Sequence, residues 1–390
     1  MNSKFNQCQI LNEILDSQDG IMLKLYISSK YKHVFTSEFI NLSSKSDSSN
    51  TSTISNDWFD FLDIVKVDHE ISYDRMLCAF KLFSDKLLTQ SWHLPLLYSL
   101  SNDLTGKALD ERFDNSAVDK AADILMHAFR CCIRHRQWSA PIPIANCLFK
   151  LYNRMGRLIL CKPLLRAFSQ KSSMYENSSE DFLTTGDKLS FLYYAGICNC
   201  LVFQDCKQAL FDLEYVFRMS STKSKYLKQS QNLLKWLLPL KLSVKGEFPK
   251  NSLLTKYKID SVYSELLLSV RSGQPFIFDK LIYSHVRLFL KWRTLMIWQS
   301  CRIIAVRNMF RRIILAIQSH FQYDNKINIT DICKFVLACC TEATHFNTDE
   351  CILLMCQLIN DGFLKAYISE KHMKVVLSKE QPFPKISEIL

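Results

Sequence analysis

Through most of the chain, apolar residues recur three and four positions apart in runs of about 12 to 20 residues, and short polar breaks separate the runs. That spacing lines one face of an α-helix, so the pattern predicts helix after helix. Val118, Ala121, Ala122, Leu125, Ala128 and Phe129 form one such stripe behind Ser116, which can cap a helix running to Arg136. Ala209, Leu210, Leu213, Val216 and Phe217 form another behind Asp205. Gly246 and Gly273 each follow an apolar run and can adopt the left-handed conformation that closes a helix. Helices of this length joined by short turns stack as hairpins in an α-solenoid, here with degenerate repeats because no strict consensus period recurs.

Two breaks are longer. Residues 41–57, NLSSKSDSSNTSTISND, hold too little apolar surface to offset the entropy of ordering and are expected to form a disordered loop. Residues 169–181 have a similar composition and are expected to be a mobile connection.

From Cys301 the pattern changes. A helix, CRIIAVRNMFRRIILAIQSHF, precedes a β-branched piece, INIT, and a helix, DICKFVLACC, with Thr330 as its cap. A further helix, TDECILLMCQLINDG, lies between Thr348 as cap and Gly362 as stop. Then FLKAYISEKHMKVVLS, residues 363–378, places two short aromatic and β-branched runs around the polar tip SEKH, the pattern of a β-hairpin. Helix, short strand, helix, helix and two-stranded wing is the order of a winged-helix domain. The fold class expected is all-α with a small β-wing, an α-solenoid continuous with a C-terminal winged helix. The expected division is 1–66 for N-terminal helices with the Ser-rich loop, 67–300 for solenoid hairpins of TPR-like type, 301–380 for the winged helix and 381–390 for a tail.

Composition supports a helical core and removes several chemistries. Apolar residues make up 48% of 390, whereas 8 Gly and 9 Pro leave little material for glycine-rich turns or phosphate loops. The 15 cysteines lie within apolar helical patterns and the opening stretch MNSKFNQCQILNEILDSQ lacks the hydrophobic region of a signal peptide, so they are expected to be reduced, mostly buried thiols. The longest uncharged runs, 87–102 and 189–204, are too short for a membrane span.

The nine histidines give no His-x-His or His-Glu-x-x-His, and Cys131 with His135 lacks a second ligand pair, so no metal and no cofactor are expected. Thr105-Gly106-Lys107 lacks the upstream glycine of a nucleotide loop, and no Cys-His pair stands out as a nucleophile. No catalysis and no small-molecule substrate are expected.

Charge is concentrated. Between Arg218 and Arg312 the chain carries 19 Lys and Arg against 4 Asp and Glu, within a total of +11. Such a field favours phosphate backbones or an acidic protein. On the helix from Cys301, Ile303, Val306, Phe310, Ile313, Ile314 and Ile317 share one side, which turns Arg311 and Arg312 outward and leaves Arg307 at the flank. The hairpin adds Lys365, Lys371, His372 and Lys374. This set suits contact with phosphates that positions a nucleic acid without reading it. The presumed recognition helix opens with Asp349 and Glu350 and has no early Arg, Lys or Gln for a major-groove edge, which argues against sequence-specific DNA reading.

The whole order resembles the PCI-domain proteins, and three segments carry a closer likeness: residues 146–168, NCLFKLYNRMGRLILCKPLLRAF; 226–249, YLKQSQNLLKWLLPLKLSVKGEFP; and 349–384, DECILLMCQLINDGFLKAYISEKHMKVVLSKEQPFP. They look like the subfamily containing the PCI subunit of the messenger-RNA export complex TREX-2, which also includes a signalosome-associated relative. The resemblance implies a non-catalytic scaffold in the nucleus at the nuclear pore, with some in the cytoplasm. It implies pairing with a larger PCI-containing scaffold subunit, with a small acidic disordered subunit shared with the proteasome lid, and with RNA of no strong sequence preference. For the acidic subunit it points to Lys235, Trp236, Lys241, Lys256 and Lys258, where cations and an aromatic are interleaved. The alternative is a signalosome- or lid-type adaptor without nucleic-acid binding.

Overall fold

The computed structural model describes residues 17–18, 20–27, 58, 60–61, 73–88, 90–110, 114–135, 141–170, 184–220, 227–321, 325–340 and 346–389. The polar break at 41–57 and nearly all of that at 169–181 lie outside the described residues. The chain divides into two compact units, Met1–Gln204 and Asp205–Leu390. The fold class is the expected one, helical hairpins with a small antiparallel sheet in a C-terminal winged helix.

In the first unit the described helices are α1 (Gly20–Ile27), α2 (Tyr73–Leu82), α3 (Leu94–Ala108), α4 (Asn115–Arg134), α5 (Pro141–Met155), α6 (Lys162–Gln170) and α7 (Thr185–Cys198). The stripe read from the sequence on α4 is buried in full, and α4 packs on α5, which in turn packs on α3 and α7. The ends differ from expectation. Asp114, not Ser116, precedes α4, and the Ser116 hydroxyl donates to the Asp114 carboxylate at 3.0 Å from within the first turn. The helix stops at Arg134 rather than Arg136.

The second unit opens with α8 (Cys206–Ser220), capped as expected: Asp205 Oδ1 accepts from the Gln208 amide at 2.9 Å. It packs on α9 (Leu227–Lys245), which retains Pro239 in its interior. Then follow α10 (Asn251–Lys256), α11 (Asp260–Ser272), α12 (Pro275–Ser284), α13 (Val286–Trp292) and α14 (Leu295–Phe321). The helix expected from Cys301 thus begins at Leu295, which lets its N-terminal part pack on the preceding hairpins and its C-terminal part on the winged helix. Gly273, at φ +69°, ends α11 against α14, where a Cβ would lie 2.5 Å from the Met309 amide nitrogen. Only glycine fits there.

The winged helix continues with β1 (Lys326–Asn328), α15 (Ile329–Cys339), α16 (Thr348–Asn360), β2 (Ala366–Ser369) and β3 (Lys374–Leu377). The caps fall one or two residues before those expected: Asn328 rather than Thr330 precedes α15, and Asn347 rather than Thr348 caps α16, its Oδ1 accepting from the Glu350 amide at 2.8 Å. The strands pair antiparallel in the order β1-β3-β2. Their inward side chains, Ile327, Val375 and Leu377, join Val306, Phe310, Ile313, Ile314 and Ile317 of α14 in one core. A short helix, α17 (Ile386–Ile389), returns to α9 and sets Ile386 against Gly246.

Candidate nucleic-acid and partner interface

The hairpin is fixed at its base by main-chain bonds. Lys365 N donates to Pro382 O and Ser378 N donates to Lys365 O, each at 2.8 Å. At its tip, Met373 takes a left-handed conformation at φ 48°, which turns the chain from the Glu370–His372 turn into β3. Because strand side chains alternate, burying Val375 and Leu377 sends Lys374 and Val376 to the other face. Lys365, Lys371, His372 and Lys374 are all exposed. The structure therefore brings three of the six expected phosphate contacts together on one hairpin.

The arginines of α14 separate. Arg311 and Arg312 are exposed, and Arg312 also donates to the Ser272 carbonyl at the end of α11. Arg307 is a correction. It is 5% exposed, its Nη2 donates to Pro384 O at 2.6 Å, and its guanidinium lies 6.0 Å from the centroid of the Phe383 ring. Burial, with the nearby charge of Arg311, lowers its pKa. Arg307 ties down the C-terminal segment and is not a surface cation, because α14 is enclosed on its flank by residues far along the chain.

The second expected set divides in the same way. Trp236, 5% exposed, belongs to the core of α9 rather than to a surface. Lys235 is half-buried, donates to Asn232 at 2.7 Å and sits 4.8 Å from the centroid of the Trp292 ring, which itself stacks on Tyr263. Burial, then Lys291, lowers its pKa. Lys241 pairs with Glu214 of α8 at 2.8 Å, and Lys245 joins the same carboxylate at 3.0 Å. Burial pushes Glu214 up, but the two ammonium groups outweigh it and hold the carboxyl below its ordinary value. Lys256 and Lys258 remain exposed at the end of α10. The same short helix contributes Leu253 to a small, mainly apolar pocket of about 110 Å³, whose lining also includes Phe217, Leu234, Leu237, Leu238 and Phe248 together with Lys241 and Glu247. Sequence reading missed this pocket, although LLPLKL and the following GEFP contribute much of its wall.

The sequence spacing sets Cys131 one turn from His135. In the structure its thiol lies 3.5 Å from Nε2 of His127, and the Asp85 carboxylate approaches the same nitrogen. These three donor atoms lie within 4.8 Å of one another and are the group among the described residues with the spacing to hold a metal ion. Burial raises the Cys131 thiol, which works against the thiolate a metal requires. Among the described residues no helix is long and apolar enough to cross a membrane.

No family model matches the chain. Among curated proteins, PCI domain-containing protein 2 of Xenopus laevis is 29% identical over 317 residues, covering 77% of this chain and 75% of the relative. PCI domain-containing protein 2 of Danio rerio is 24% identical over 419 residues, covering 97% and 96%. Protein CSN12 homolog of Schizosaccharomyces pombe is 26% identical over 319 residues, covering 75% and 72%. Similarity over three quarters or more of the chain, together with helical hairpins that end in a winged helix, makes the chain a PCI-domain protein of the subfamily that includes PCI domain-containing protein 2.

Proposed function

We propose that the chain is a non-catalytic scaffold and RNA-binding subunit of a nuclear messenger-RNA export complex of the TREX-2 type, working at the nuclear pore. The observation that carries the RNA half of this reading is the wing: Lys365, Lys371 and Lys374 are exposed on one anchored hairpin, which holds a single acid, Glu370. Cations held this way meet phosphates without selecting bases. The acidic first turn of α16 supports the same reading, since Asp349 and Glu350 are exposed where a DNA reader would need donors. For a small acidic partner, Lys256 and Lys258 offer charge, and the neighbouring pocket offers room for an apolar or aromatic side chain. A larger PCI-containing subunit completes the platform.

A second reading is an adaptor of signalosome or proteasome-lid type with no nucleic-acid role, and the relative named Protein CSN12 homolog is compatible with it. Affinity purification from nuclear extract decides between them. Recovery of an export scaffold and of RNA supports the first reading, and recovery of signalosome subunits without RNA supports the second.

A further inference from the structure

We propose that the outward face of the three-stranded wing sheet is a stacking platform for single-stranded RNA, with Tyr367 as the residue on which a base lies. The inference rests on the RNA reading above and adds a residue and a strand preference to it. The register places Tyr367 opposite Val376, and Val376 opposite Lys326, so the three form one row across β2, β3 and β1. In the adjacent row Ser369, Lys374 and Asn328 are aligned. Because Ile368, Val375 and Ile327 take the inward positions, every member of these two rows faces away from the core. Tyr367 is 61% exposed, and Lys326 and Lys374 are exposed as well.

The spacing suits a nucleotide strand. Lys374 is the diagonal neighbour of Tyr367, about 7 to 8 Å away, and Lys365 lies two residues back along the same chain at a similar distance. An aromatic ring thus stands between cations, with Lys326 closing the far edge of the row. A base has a π-face whatever its identity, so a ring flanked by ammonium groups holds a strand through stacking and phosphate contact together, without sequence preference. A paired duplex keeps its bases stacked on one another and offers Tyr367 none. The charge on and beside this face is complementary to a polyanion: Lys326, Lys365, Lys371 and Lys374 outnumber the one exposed acid of the hairpin, Glu370, while Asp331 on α15 is engaged by Asn328 at 3.2 Å and by Lys334.

The test uses the intact chain in the complex with which it purifies, titrated with a labelled single-stranded RNA of mixed sequence and with a matched RNA duplex. Tyr367→Ala should weaken single-strand binding by roughly ten-fold while leaving duplex binding and the salt slope unchanged. Tyr367→Phe, which keeps the ring, should bind as the parent does, and equal melting temperatures would confirm that both variants fold. If the parent complex binds RNA and Tyr367→Ala binds it equally well, the platform is wrong while the lysine contacts stand. If the parent binds no RNA, both readings fall. If Tyr367→Ala instead loses a protein subunit with RNA affinity intact, the face is a protein contact and the proposal is overturned.

Discussion

Two clusters of cations looked alike in the sequence and differ in the folded chain. On the wing, Lys365, Lys371 and Lys374 stand in solvent on a hairpin that carries one acid. Of the four lysines read together around α9, Lys241 is paired with Glu214 and Lys235 is laid over Trp292, while Lys256 and Lys258 are exposed. The same contrast repeats within one turn of α14, where Arg307 is buried and Arg311 is exposed. A local count of charge measures the field before neutralisation. Whether a cation is available depends on what the neighbouring element brings to it. The four-residue hairpin tip, Glu370 to Met373, has few neighbours, whereas a helix enclosed by others has many.

The contrast on α14 predicts the largest effect. Arg307→Ala removes a buried guanidinium, leaves the Pro384 carbonyl without its donor and opens space beside Phe383. A cost of about 3 kcal/mol is expected from a buried charged hydrogen bond plus the lost packing. Arg311→Ala should change stability by less than about 0.5 kcal/mol. Chemical denaturation of the two variants checks the pair, and equal midpoints would show that the C-terminal segment is not held by Arg307.

On α9 the expected effect is smaller because the ions are partly solvated. Lys241→Glu places a second carboxylate beside Glu214, whose side chain is 22% exposed, and should cost about 2 kcal/mol. Lys256→Glu with Lys258→Glu should leave stability within about 0.5 kcal/mol of the parent and weaken an acidic partner most at low salt. A binding test that reverses all four lysines at once would confuse a folding defect with a lost contact. If the exposed pair binds the partner normally when folded, the acidic chain docks elsewhere.

Much of this fold was legible because the signals are local. Asp205 needs only the amide three residues on, Gly246 and Gly273 need only their own backbone, and the wing announces itself by alternation within a few residues. Cap positions slipped by a residue or two where Asn or Asp competed with a nearby Ser or Thr, as at Asn347 and Asp114. The fate of single charges was not legible. Glu214 and Lys241 meet only because α8 packs on α9, and Arg307 meets Pro384 only because the chain returns after the wing. Tyr367 lies between: its outward direction follows from alternation, but Lys326 enters its row through the register with β1, which no local pattern encodes.

Acid should expose the α9 network without any mutation. The folded Glu214 carboxyl sits below its ordinary value, so its contribution to stability is complete above about pH 4.5 and is lost as pH falls through the depressed folded value. Lys241→Ala with Lys245→Ala should flatten that acid limb by up to about 1 kcal/mol, since the two ammonium groups cause the depression. An unchanged acid limb would mean that the pairs exert no net effect in solution.

The wing gives the smallest change in stability and the clearest change in binding. Lys371 and Lys374 are exposed and form no part of the core, so changing both to Ala should leave the melting temperature and the set of captured subunits as they were. Each phosphate contact on a single strand contributes about 0.7 to the slope of log affinity against log salt, through release of condensed counterions. The double variant should therefore lose about 1.4 of slope if both lysines touch phosphate, and affinity should fall by a similar factor for RNAs of different sequence. Arg311→Ala, assayed beside it, reports whether α14 lies on the same strand: a further loss of about 0.7 places it there, and an unchanged slope confines RNA to the wing. A slope that is unaltered in the lysine variant would make the wing a solvated edge like any other, erase the contrast with α9, and leave the adaptor reading as the better account of the chain.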